Sequence, residues 1–172
     1  MKILGIIPAR FDSTRFPGKP LIDLAGKTMI ERVYTQVKKS NALSDVVVAT
    51  DDKRIFDTVK AFKGEAILTS RKHQSGTDRC AEVSKKIVGY DVIINIQGDE
   101  PLIEPESLRT FIRNLNENTQ IATLATRIRV FEELTNPNVV KVVVDSKQNA
   151  LYFSRQAIPF QRDVPLEQWL ET

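Results

Sequence analysis

Four short apolar runs, "ILGII" (3–7), "DVVVAT" (45–50), "AILT" (66–69) and "DVIINI" (91–96), alternate with longer stretches patterned at the helical period. No other feature limits the fold as much. β-branched runs separated by amphipathic segments predict strand–helix–strand units on a parallel sheet. In "TMIERVYTQVKKS", Met29, Ile30, Val33 and Val37 share one face, and Lys38 and Lys39 complement the negative end of the helix. "DDKRIFDTVKAF" repeats the pattern with Ile55, Val59 and Phe62, stopping near Gly64. A third helix is predicted from about Asp78, with Thr77 as its N-cap. "DVIINI", the most hydrophobic run, reads as a central strand buried on both faces, and "PESLRTFIRNL" as the helix after it.

The period then changes. Ala122, Leu124, Thr126, Ile128 and Val130 alternate with polar neighbours as a strand would, and "VVKVVVD" and "ALYFSR", joined by "SKQN", read as a hairpin. The expected fold class is α/β: a mostly parallel, doubly wound, Rossmann-like sheet with antiparallel C-terminal strands, as one domain over residues 1–172.

Charge and cysteine content exclude several functions. Lys and Arg number 25 against 22 Asp and Glu, a formal charge of +3, which is too balanced for a nucleic-acid-binding surface. No apolar run approaches a transmembrane helix, and "MKILGIIPAR" lacks the form of a secretory signal. The single cysteine, Cys80, rules out an intramolecular disulfide framework and fits a cytoplasmic protein. Within "DRCAEVSKKI" it reads as a small core residue rather than a nucleophile.

Ligands of open α/β sheets bind beyond the carboxyl ends of the strands, which directs attention to three loops. The first, "PARFDSTRFPGKPL" (8–21), gathers Arg10, Arg15 and Lys19 on a stretch stiffened by proline. It matches neither the phosphate-binding P-loop nor the dinucleotide fingerprint. Its composition suits an anion such as a nucleoside triphosphate, while a solvated basic turn remains the alternative. In the second, "QGDEP" (97–101), Asp99 would hold Mg²⁺ together with phosphate oxygens, or else cap the helix that follows. Gln97 could bond a polar substrate. The third, "HQSGTDR" (73–79), offers backbone amides at a helix entrance, as any capped loop would; its lone His73 reads as a polar loop residue. No nucleophile elbow or Ser-His-Asp set occurs. Transfer of a phosphoryl or nucleotidyl group, which needs positioning and charge neutralisation more than covalent chemistry, is what these loops could support.

Taken in order, "IPARFDSTRFPGKPL", "VVVATDD", "HQSGTDR", "NIQGDEP" and "YFSRQAIPF" resemble the 3-deoxy-D-manno-octulosonate (Kdo) cytidylyltransferase family, the CMP-Kdo synthetases of bacterial lipopolysaccharide biosynthesis, from Ile7 to about Phe160. The resemblance implies a sheet of the nucleotide-diphospho-sugar transferase type and attack of the Kdo anomeric hydroxyl on the α-phosphate of CTP, with Mg²⁺ present. It implies that Pro8, Ala9 and Arg10 border the cytidine and phosphates, with Arg15 and Lys19 on the triphosphate. Ser75, Gly76 and Thr77 would lie near the nucleoside, Asp99 would ligand Mg²⁺, and Gln97 and Arg155 would meet the sugar acid. Lys19, Arg10 and Asp99 are the expected catalytic residues. Family members continue beyond "EQWLET", so the chain is expected to be a C-terminally truncated form whose full-length counterpart is a homodimer. A cytidylyltransferase for another acidic sugar and a non-catalytic nucleotide-binding fragment are the alternative readings.

Overall fold

The computed structural model describes residues 1–12 and 16–170, which form two compact units, Met1–Thr119 and Gln120–Thr172. The first unit carries strands β1 (Ile3–Ala9), β2 (Asp45–Thr50), β3 (Ala66–Leu68) and β4 (Val92–Asn95). Between and after them run helices α1 (Met29–Lys39), α2 (Lys53–Ala61), α3 (Gly76–Lys86) and α4 (Pro105–Arg113). All strand pairs are parallel, in the order β3-β2-β1-β4.

The pleat divides the core into two layers. Ile3, Ile7, Val46 and Val48 point to one face with Ile30, Val33, Val37, Ile55, Val59 and Leu108 from α1, α2 and α4. Leu4, Ile6, Val47 and Ala49 point to the other, against Cys80 and Val83 of α3. Thr28 caps α1 by accepting the Glu31 N–H at 3.3 Å, and Asp52 caps α2 by accepting that of Arg54 at 2.9 Å.

Three sequence expectations need correction. "DVIINI" is an edge strand among the described residues, not a central one: β4 pairs only with β1, and Ile93 is 38% exposed while Ile94 and Ile96 are buried. The doubly buried strands are β1 and β2. Helix α3 begins at Gly76, and its N-cap is Ser75, not Thr77. Ser75 Oγ accepts the Asp78 N–H at 3.0 Å while Asp78 Oδ2 accepts the Ser75 N–H at 3.2 Å, so a reciprocal capping box fixes the start two residues early. Residues 122–130 form no strand, because period-two alternation becomes a strand only where a neighbour takes up its backbone bonds, and no described ladder includes them.

The second unit holds a short helix, α5 (Phe131–Thr135), that the sequence reading missed, and the expected antiparallel hairpin of β5 (Lys141–Val144) and β6 (Ala150–Ser154). Asp145 closes its turn by accepting the N–H groups of Lys147 and Asn149, each at 2.8 Å. Buried Lys141 donates to the carbonyls of Asn136 and Arg155. Among the described residues, no helix is long and apolar enough to cross a membrane.

Candidate functional site

The chain runs outward from β1 to β2 and β3, then crosses back to lay β4 on the other side of β1. Where strand order reverses, the loops leaving the two adjacent strands diverge and open a crevice at their carboxyl ends. A cleft of about 520 Å³ lies there. Its walls are Pro8 and Ala9 at the end of β1 with Arg10 just after it, Lys19 beyond them, His73 to Gly76 at the entrance of α3, and Gln97, Gly98 and Asp99 after β4.

Lys19 and Asp99 meet across this cleft, with Nζ 2.6 Å from Oδ2. Eighty positions apart in sequence, they are brought together by the neighbouring parallel strands that carry their loops. Their side chains are 39% and 52% exposed, so the contact is solvent-screened and contributes at most about 1 kcal/mol. Such a pair is easily exchanged for stronger partners. Asp99 does not cap the following helix, whose N-cap is Glu104 with Pro105 at the first turn.

The basic loop is anchored at its base. Gly18 adopts φ +74°, a conformation that favours glycine, and donates its N–H to the Phe11 carbonyl at 2.8 Å. A β-carbon at Gly18 would sit 3.1 Å from the Phe11 ring, whose face carries the Arg54 guanidinium 3.3 Å from the centroid. Two hydrogen bonds to Asp52, from Nε at 2.9 Å and Nη2 at 2.7 Å, hold that guanidinium and lower the Asp52 pKa, the Arg54 side-chain bond being the main cause. The first turn of α2 thus supports the loop that carries Lys19. On the opposite wall, a β-carbon at Gly98 would lie 2.7 Å from the Pro8 carbonyl oxygen, so only glycine lets the loop after β4 approach the end of β1 this closely.

The third wall is held by α3. Glu82 Oε2 accepts the Ser70 N–H at 2.9 Å and pairs with His73 Nε2, and Glu82 Oε1 pairs with Lys86 Nζ at 2.6 Å. These partners, Lys86 first, then the Ser70 N–H and His73, hold the Glu82 carboxyl down at about 2. Cys80, buried on the same helix, has its thiol pushed up to about 11 by desolvation, which fits a core residue rather than a nucleophile.

Of the residues singled out from sequence, Pro8, Ala9, Arg10, Lys19, Ser75, Gly76, Gln97 and Asp99 all line the cleft. Thr77 sits one residue inside α3 and is not part of the lining. Arg15 lies outside the described residues. Arg155 belongs to the second unit, where its Nη1 donates to the Pro137 carbonyl at 2.7 Å. Phe16, Pro20, Met29, Gln74 and Arg79 also line the cleft, although nothing in the sequence analysis singles them out for it, and His73, a polar loop residue as expected, lines it too. One signal for Arg79 was available: it stands four positions before Val83, on the apolar stripe of α3.

The cytidylyltransferase family profile matches residues 4–171. A 3-deoxy-manno-octulosonate cytidylyltransferase of Parabacteroides distasonis is 54% identical over 176 residues, covering 99% of this chain and 69% of the relative. The enzyme of the same name from Geobacter sulfurreducens is 53% identical over 165 residues, covering 95% and 66%. The chain thus spans about two thirds of the length of these relatives. A solved structure of CMP:2-keto-3-deoxy-manno-octonic acid synthetase complexed with CTP matches with a TM-score of 0.84 at 42% identity, over 95% of this chain and 68% of that one. A 4-diphosphocytidyl-2C-methyl-D-erythritol synthase, at 15% identity and a TM-score of 0.62 over 91% of this chain and 72% of that one, shares the fold alone.

Proposed function

This chain belongs to the cytidylyltransferase family, and from that premise we propose that it transfers CMP from CTP to the anomeric hydroxyl of Kdo, releasing pyrophosphate. The observation that carries the reading is the 2.6 Å contact between Lys19 and Asp99 across the crevice between β1 and β4. It brings a phosphate-binding cation and a hard oxygen ligand to one place.

In this reading Arg10 and Lys19 bind and orient the triphosphate, with Arg15 on the same loop. Each charged contact of this type is worth about 1.5–3 kcal/mol. Pro8 and Ala9 border the cytidine, and Ser75, Gly76 and Thr77 at the start of α3 form the nucleoside side. The Ser75 hydroxyl is committed to Asp78, to which it donates at 2.7 Å, so the free amides of that turn are the groups that remain for ligand. Gln97, on the wall after β4, bonds the sugar acid. The sugar's anomeric hydroxyl attacks the α-phosphorus and loses its proton to solvent, the bond to the bridging oxygen breaks, and the pyrophosphate leaves with its charge held by Lys19 and Arg10.

Asp99 is the group that would hold Mg²⁺. Among the described residues no cluster of three or more His, Cys, Asp or Glu side chains could cage a metal, and a single carboxylate working with substrate phosphates suits magnesium, which seldom takes an all-protein site. A magnesium ion held there would supply neutralisation of the negative charge on the triphosphate from which CMP is transferred. The same reading implies a cytoplasmic, homodimeric enzyme of lipopolysaccharide biosynthesis.

A pyrophosphate-release assay with CTP and Mg²⁺ tests the proposal. Release is expected with Kdo and not with sialic acid. Equal release with both acceptors, or none with either, contradicts it.

A further inference from the structure

Among the described residues of the first unit, Arg79 is the one charged side chain that is buried, at 3% exposure. Burying a guanidinium is costly unless every donor arm finds an acceptor, and a well-packed apolar residue is often as good for stability. A charge retained there calls for another reason, and its partners supply one. Nη2 donates to Asp51 Oδ2 at 2.7 Å, at the carboxyl end of β2. Nη1 donates to Thr69 Oγ1 and, at 3.4 Å, to the Ser70 carbonyl, where the chain leaves β3. One side chain on α3 therefore joins the ends of two strands to the helix.

We propose that Arg79, together with Asp51, is a positioning residue of the nucleotide site: it fixes the segment from Thr69 to Ser75 that forms the α3-side wall of the cleft. The proposal rests on the reading of that cleft as the CTP site. Three lining residues, His73, Gln74 and Ser75, stand on this segment. Its first residues are bound by Arg79, and Glu82, three positions along the same helix face, binds Ser70 and His73. Thr69 is also tied directly to the sheet, donating its N–H to the Thr50 carbonyl at 2.8 Å. A wall held at both ends before ligand arrives does not have to be ordered during binding, which is the general route by which preorganisation raises affinity. Loss of the brace should weaken nucleotide binding without dismantling the core.

Two variants separate positioning from simple stability. Arg79→Met combined with Asp51→Leu removes the pair and leaves no buried charge, so the melting temperature should stay close to wild type. Thr69→Val removes only the hydroxyl that receives Nη1. Calorimetric titration with CTP should show affinity falling by roughly tenfold or more in the double variant and several-fold in Thr69→Val. Amide hydrogen exchange at residues 70–75 should accelerate in both, and Arg79→Lys, with one point-like donor in place of a fork, should fall between wild type and the double variant. A folded double variant with wild-type affinity and exchange overturns the proposal. Should that variant not fold, wild-type behaviour of Thr69→Val overturns it equally. Failure of the wild-type protein to bind CTP would instead overturn the nucleotide reading, because the exchange rates test the brace without ligand.

Discussion

Residues 1–119 and 120–172 use apolar side chains differently. Every buried hydrophobic residue except Leu134 belongs to the first unit, among the described residues. There the two faces of β1 and β2 are each covered by helices. In the second unit Ile121, Leu124, Leu151, Tyr152 and Phe160 are all at least 60% exposed, and the hairpin presents Phe153 at 50%. The contrast bears on where a precise site can be built. Positioning a reactive group needs rigid supporting elements, and the whole of the candidate cleft is lined by residues of the first unit.

Two isoleucines put this contrast to its sharpest test. Ile30 is fully buried between α1 and the sheet, so Ile30→Ala should cost about 2–5 kcal/mol in denaturant unfolding. A loss below about 1 kcal/mol would mean that the first unit is not packed as described. The thiol of Cys80 tests the same core chemically. With its pKa raised from 9.0 to about 11, its thiolate fraction at pH 8 is about a hundredfold lower than that of an ordinary cysteine, and alkylation should be slow until the protein unfolds. Rapid labelling of the native protein would break the account of α3.

At the cleft, Lys19→Ala removes one charged phosphate contact, and kcat/KM for CTP should fall roughly 10- to 150-fold. An effect under about twofold would take Lys19 out of the site. Asp99→Asn should lower kcat much more than it weakens CTP binding, because charge develops mainly during transfer. Equal losses in both would contradict a metal-holding role.

How much of this was legible depended on whether the deciding physics was local. The two faces of β1 and β2 and the stripe of α1 follow from short-range period, and both appear in the sequence. The meeting of Lys19 with Asp99 was also readable, since parallel strands send their exit loops to one edge. Apolarity says nothing of strand order, so "DVIINI" reads as central when, among the described residues, it lies at an edge. The alternation at 122–130 records a tendency to pair, and pairing requires a neighbour that the pattern cannot name. The start of α3 was misjudged between two hydroxyl residues, although Asp78 three positions after Ser75 completes a capping box that Thr77, followed three positions later by Cys80, cannot. Arg79 escapes notice because charge on a helix usually means solvent, and its partners just beyond the ends of β2 and β3 show why it is buried.

The smallest effect belongs to the second isoleucine. Ile121 is 95% exposed, and Ile121→Ser should leave stability within about 0.5 kcal/mol of wild type. A loss comparable with that of Ile30→Ala would erase the distinction between the two units.

The central claim is that the loops leaving β1 and β4 form, with the entrance of α3, a single nucleotide cleft. An amide NMR titration with CTP measures this most directly. The account predicts shifts concentrated at Ala9, Arg10, Gly18, Lys19, Gly76, Gly98 and Asp99, moving together with one dissociation constant; shifts scattered elsewhere, or at only one of the three walls, would contradict it.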